Sequence, residues 1–272
     1  MEKKIAKFKV GGFYYDQLEV DEQLDYKRIV TAVSEYAPSV EVESSSADSL
    51  ERVCSAVCYD NPELFYFVTY DLNLTADGML NLKYHTANKK EAEMLIKKMR
   101  EKRRAIIKEI MTDTEDPVEM TKKLYTYFLK NVRYVRYASD EIEKDEPRQW
   151  IYNIQGVLMN NKAVCLGIAL AIQYIYELGV GGVHSILVTG VKPDENGFLK
   201  NAWNILEIDG RNYHMDVSSE MQLLEEKKKN RKKDSDEKED SETYSCFLLT
   251  DAGMQNEGWL WSKIYPKAVR DV

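Results

Sequence analysis

Apolar residues recur along the first sixty positions at helical spacing. Tyr26, Ile29, Val30, Val33 and Tyr36 form one stripe, which predicts an amphipathic helix over 21–37. After the serine run 44–46, Leu50, Val53, Cys54, Val57 and Cys58 share one face of a second helix, ended by Asn61-Pro62. That spacing makes both cysteines buried small hydrophobes. Two strand-like runs, 64–71 (LFYFVTYD) and 79–84 (MLNLKY), are joined through Asp77-Gly78. A long basic helix follows over about 88–112, with Leu95, Met99, Ile106, Ile107 and Ile110 on its core side. Its crowd of Lys and Arg reads as a solvated face.

The pattern resumes at Asp116-Pro117-Val118-Glu119, an N-cap carboxylate, a proline in the first helical turn and a glutamate behind it. This helix turns Met120, Leu124, Tyr127 and Phe128 inward, and an acidic loop (139–147) follows it. Residues 163–178 (AVCLGIALAIQYIYEL) carry only Gln173 and Glu177 as strongly polar side chains. A helix apolar almost all round is buried on most faces, so this one is expected at the centre of a core. Strands are expected at 183–190, 202–208 and 211–217, the last two closed into a hairpin by Asp209-Gly210. A central buried helix followed by antiparallel strands predicts an α+β fold. The organisation expected is an N-terminal helical and hairpin region (1–112) and a core (113–272).

Composition narrows the function classes. The chain is 44% hydrophobic and 31% charged, the balance of a globular protein. The net charge of −8 argues against a nucleic-acid surface, which needs an excess of Lys and Arg on one face. No apolar run reaches the length of a membrane span. The start, MEKKIAKFKVGG, has lysines without an apolar stretch behind them, so no signal peptide is visible. The expected location is therefore cytoplasmic, or extracellular for a chain already relieved of a leader. Residues 225–242 hold 15 charged side chains in 18, seven positive and eight negative, and read as a mobile loop inserted in the core. The four cysteines lack a C-x-x-C pair and only three histidines accompany them, so neither a disulfide framework nor a structural zinc site is expected. No cofactor is implied, and oligomeric state is not legible.

Cys165 falls at the first turn of the buried helix, where free N–H groups and the helix dipole favour a thiolate. A cysteine nucleophile needs a base and a group to orient it, and Asp216 is placed as the orienter. The segments GVLMNNKAVCLGIALA (156–171), LGVGGVHSILVTG (178–190) and NAWNILEIDGRNYHMDVS (201–218), in this order, resemble the transglutaminase-like superfamily, bacterial type. DNPELFYF (60–67) and YSCFLLTDAGM (244–254) extend the resemblance over roughly residues 50 to 265. It implies a papain-like core with the central helix packed on an antiparallel sheet. It also implies a nucleophile at Cys165 in a VC-x-G-x-A pattern, a histidine in an H-A-W-N pattern, and an aspartate at Asp216.

The histidine position, however, is Asn201, and an amide neither takes nor gives a proton usefully near neutral pH. The tryptophan that often follows the aspartate-threonine pair is replaced by Ser219. Neither His214, two residues farther along the hairpin, nor His184, about 20 Å away at ~3.3 Å per residue, is placed to substitute. His214 reads as a packed, satisfied core residue. Gln155 has the chemistry of an oxyanion donor but the wrong spacing, so a surface or capping role is expected, and Trp203 is expected to pack against the Cys165 helix. The resemblance therefore implies a catalytically degenerate member, Cys165–Asn201–Asp216, that binds a protein or peptide. The alternative is an active cysteine-dependent peptidase, amidase or acyltransferase with an atypical base.

Overall fold

A computed structural model describes residues 11–136, 149–195, 197–231 and 244–269. The chain forms two compact units divided between Arg100 and Glu101. The expected acidic loop at 139–147 lies outside the described residues.

In the first unit, helix α1 (Val20–Glu35) buries Tyr26, Ile29, Val30 and Val33 as the stripe predicts. Strand β1 (Ser39–Glu41) follows, then helix α2 (Ala47–Asp60), capped by Ser46 and ending before Pro62. Cys54 is buried, while Cys58 keeps partial exposure. The expected strand 64–71 does not form. Pro62–Leu64 make a 3-10 turn and only Phe67 bridges to Tyr84. Leu64 to Val68 are all buried, so the run lacks the in-out alternation of a half-buried strand. The hairpin through Gly78 instead joins β2 (Asn73–Leu74) to β3 (Met79–Asn81), and β1 completes an antiparallel sheet ordered β1-β3-β2. Helix α3 (Lys89–Ile110) is the predicted basic helix, and the division between the units falls within it.

The second unit begins its own elements with helix α4 (Pro117–Asn131), where the Asp116 carboxylate accepts from Glu119 N–H at 2.8 Å. The inward residues are Met120, Thr121, Leu124, Tyr125 and Phe128. Tyr125 thus takes the inner place expected of Tyr127. Strand β4 (Arg133–Tyr134) then pairs in parallel with β5 (Lys162–Ala163), reached after helix α5 (Ile154–Asn160). Helix α6 (Cys165–Tyr176) has nine of its residues buried, among them Ile168, Leu170, Ile172 and Ile175.

Helix α6 lies on an antiparallel sheet of β6 (His184–Asp194), β7 (Gly197–Ile208), β8 (Arg211–Met215) and β9 (Leu260–Trp261), ordered β8-β7-β6-β9. Asp209 and Gly210 both have positive φ, 51° and 75°, the primed turn that matches strand twist. Ile208 therefore opposes Arg211 and Ile205 opposes His214, the register expected from the sequence. Gln173 accepts from Leu187 N–H at 2.7 Å and Asn204 donates to Ala169 O at 3.0 Å, tying α6 to one face of the sheet. Trp203, next to Asn204, points to the other face. It meets Trp259 and Trp261 there, so it does not pack on the Cys165 helix as expected.

After Asp216, helix α7 (Val217–Arg231) runs into the charged segment, so residues 225–231, expected within a loop, are helical. An i,i+4 pair, Lys229 to Glu225 at 2.9 Å, and Arg136 to Glu226 at 3.0 Å accompany this extension. The rest of the charged run lies outside the described residues. The chain returns through Ser245–Leu249 into helix α8 (Asp251–Asn256) and β9. The architecture is α+β, and no helix among the described residues is long and apolar enough to cross a membrane.

Candidate functional site

Three local structures converge at one end of the sheet. Cys165 is the first residue of α6. Asn201 lies on β7 opposite Gly190, and Asp216 directly follows β8 and caps α7. The Asn201 amide donates from Nδ2 to Asp216 Oδ2 at 2.7 Å. Its Oδ1 accepts from Ser218 Oγ at 3.3 Å and from Ala202 N–H at 2.8 Å. This amide orientation follows from the network, because only the NH2 group satisfies a carboxylate.

Asp216 is 1% exposed, a burial that charge tolerates only with donors around it. Besides Asn201 it accepts from Ser218 Oγ (2.8 Å), Ser219 N–H (2.9 Å) and Ser219 Oγ (2.6 Å). Burial pushes its carboxyl above the usual range while these donors pull it back. Ser219, where the family pattern has tryptophan, is thus a working donor to the aspartate. The short polar side chains following Asp216 are the signal that marks this cluster in the sequence.

Cys165 retains partial exposure. The backbone N–H groups of Ala202, Leu166 and Cys165 itself favour the thiolate. Burial outweighs them, and the Asp216 carboxylate adds to it, so the thiol is held above its ordinary pKa and is neutral at pH 7. The helix N-terminus does not by itself make a thiolate here. Gln155 is in the first turn of α5, its N–H taken by the Asn153 side chain.

His214 is fully buried and satisfied on both sides. Its Nδ1 accepts from Trp203 Nε1 at 2.9 Å, and its Nε2 pairs with Asp251 Oδ1 at 2.9 Å. The ring is therefore the neutral Nε2–H form, and burial lowers its pKa. His184 pairs with Glu207, six ladder positions from Asn201. Neither is a base for Cys165.

Tyr134, Tyr125 and Glu220 belong to the neighbourhood and carried no sequence signal as site residues. Tyr134 is brought beside Cys165 and Asp216 by the parallel β4–β5 pair, and burial with those two groups pushes its phenol up to about 12. Glu220, one helical turn after Asp216 and fully buried, accepts from Tyr125 OH at 3.0 Å and from the N–H groups of Ser245 and Cys246 at 2.7 and 2.8 Å. Cys246 O in turn accepts from Asp216 N–H at 3.0 Å. Glu220 thereby clamps the returning chain against the residue that holds Asn201.

No protein-family model and no curated protein sequence matches this chain. Among solved structures, a crystal structure of a TGase is similar at a TM-score of 0.40 and 11% identity, over 79% of this chain and 62% of that one. The chain thus spans about three fifths of that protein's length.

Proposed function

We propose that the second unit is a transglutaminase-like, papain-related core whose Cys165–Asn201–Asp216 site is catalytically silent and serves to bind a protein or peptide. The observation that carries this reading is the Asn201–Asp216 hydrogen bond at 2.7 Å. The aspartate that would orient an imidazole orients an amide instead, and the amide cannot shuttle a proton. Beside it the thiol is kept neutral by burial and by the same aspartate. The ordered motifs 156–171, 178–190 and 201–218 support the family reading.

One feature favours the alternative of an active cysteine enzyme: the backbone N–H groups of Ala202, Leu166 and Cys165 pull the thiol pKa down against its burial. Alkylation separates the two readings. Iodoacetamide labelling of Cys165, followed by mass spectrometry at pH 6 to 7, is expected to be slow in the wild-type chain and faster in Asn201→His. Each unit by which an adjacent imidazolium lowers the thiol pKa raises the thiolate fraction about tenfold. Wild-type labelling as fast as the variant's, or Cys165-dependent hydrolysis of a peptide amide, overturns the silent site.

A further inference from the structure

Strand β7 is longer than its partner. It runs over twelve residues, Gly197 to Ile208, but β8 pairs with it only from Ile208 back to Asn204. The two-residue turn makes Ile208 and Arg211 a hydrogen-bonded pair, and such pairs alternate along an antiparallel ladder. Even-numbered residues of β7 therefore aim their N–H and C=O groups toward the β8 side. Beyond Asn204 the even positions are Ala202, Lys200 and Phe198. Ala202 N–H turns to the Asn201 side chain. Among the described residues no strand pairs with β7 at Lys200 or Phe198 on that side. Gly197 to Lys200 are all exposed, Phe198 at 67% and Leu199 at 49%.

An unpaired strand edge carrying exposed apolar side chains is a template for another strand. This one is about 7 Å long from Phe198 to Lys200, at ~3.3 Å per residue, and adjoins Ala202, whose N–H is held by the Asn201 side chain. Phe198 and Lys200 project from the α6 side of the sheet and Leu199 from the other, because side chains alternate and Asn204 reaches α6.

We infer that the outer edge of β7, from Phe198 to Lys200, receives an extended peptide segment as an added strand and leads it toward the site of Asn201 and Cys165. The segment sets apolar side chains beside Phe198 and Leu199, and a carboxylate beside the Lys200 ammonium. The charge of Lys200 and the continuity of the edge with the Cys165 site select this occupant. The inference rests on the peptide-binding reading above and names its ligand class and entry path.

Lys200→Pro isolates the edge. It removes one outward N–H while leaving the hydrogen bonds to β6, which odd-numbered residues make, and proline is tolerated at strand edges. A phage-displayed decapeptide library is panned on the immobilised full chain, and enriched peptides are synthesised and titrated by fluorescence polarisation. Enriched sequences are expected to alternate apolar and acidic residues. Lys200→Pro is expected to weaken them about tenfold or more, a loss of the size of one or two hydrogen bonds. Lys200→Ala should weaken them less and in a salt-dependent way, and N-methylation of alternate peptide amides should act as the proline does on an unaltered protein.

No enrichment over bare matrix, or binding indifferent to both Lys200→Pro and N-methylation, overturns the inference. So does self-association that Lys200→Pro abolishes, because the occupant is then a second copy. Peptides that slow Cys165 alkylation yet ignore Lys200→Pro overturn the edge and keep the peptide-binding reading. Peptides that need the edge but leave Cys165 alkylation unchanged keep the edge as a strand-binding surface, and overturn both its path to Cys165 and the reading of the Cys165 site as the peptide site.

Discussion

At the scale of single residues, chemistry is set by partners more than by residue type. His214 is the residue in the second unit whose ordinary pKa lies nearest neutrality and whose surroundings shift it, and it is spent on structure. Protonation adds a hydrogen to Nδ1, where Trp203 Nε1–H already points. Its folded pKa lies below the unfolded value of about 6.5. The associated stability is fully present above about pH 6.5 and is lost as pH falls through the lower folded value. Denaturant midpoints of the wild-type chain should therefore drop, as pH is lowered below about 6.5, more steeply than those of His214→Phe. The variant itself is expected to lose about 1–3 kcal/mol at pH 7, because the Trp203 donor is left buried without an acceptor. Equal slopes for the two proteins would show that His214 is not the titrating group.

At the scale of elements, close approach decides how the sheet is finished. Gly190 lies where β6 passes between Trp203 and β9. A Cβ built there would stand 2.3 Å from the Trp203 ring and 2.6 Å from Leu260 O. The backbone oxygen cannot yield without moving β9. Gly190→Ala is expected to destabilise by about 1–3 kcal/mol, the usual cost of overpacking. It should also change the emission of the Trp203, Trp259 and Trp261 cluster, which urea titration followed by tryptophan fluorescence reads directly. An unchanged midpoint would mean that β9 repacks freely.

At the scale of the molecule, the charged run enters from helix α7 and the chain returns at Tyr244, Thr126 holding its hydroxyl at 3.0 Å and Glu220 clamping the two residues that follow. A run of that composition has little apolar area to contribute. Replacing 232–242 by a short Gly-Ser linker should leave the melting temperature within about 1 °C, below the roughly 2–4 °C that 1 kcal/mol produces in a domain of this size. A larger drop, measured by calorimetry, would assign the run a structural role. Cutting back to 227 removes part of α7 and is a different experiment.

Much of the fold was legible in sequence because it is written in local rules. The stripe of α1, the Asp116 cap, the apolar sweep of α6 and the Asp209-Gly210 turn each depend on residues a few positions apart, and the turn fixed the register that joins Asn201 to Asp216. What failed was non-local. The run 64–71 has strand composition but its first five residues are all buried, Tyr125 displaced Tyr127 because Glu220 and the returning chain lie over it, and Trp203 turned away from α6 because side-chain alternation gave that face to Asn204. The order of Cys165, Asn201 and Asp216 and the absence of a histidine among them were likewise sequence facts. That the thiol is neutral, that Ser219 serves the aspartate, that Tyr134 adjoins the site and that β7 outruns β8 were decided by tertiary structure alone, since burial and strand ends depend on what the rest of the chain brings near.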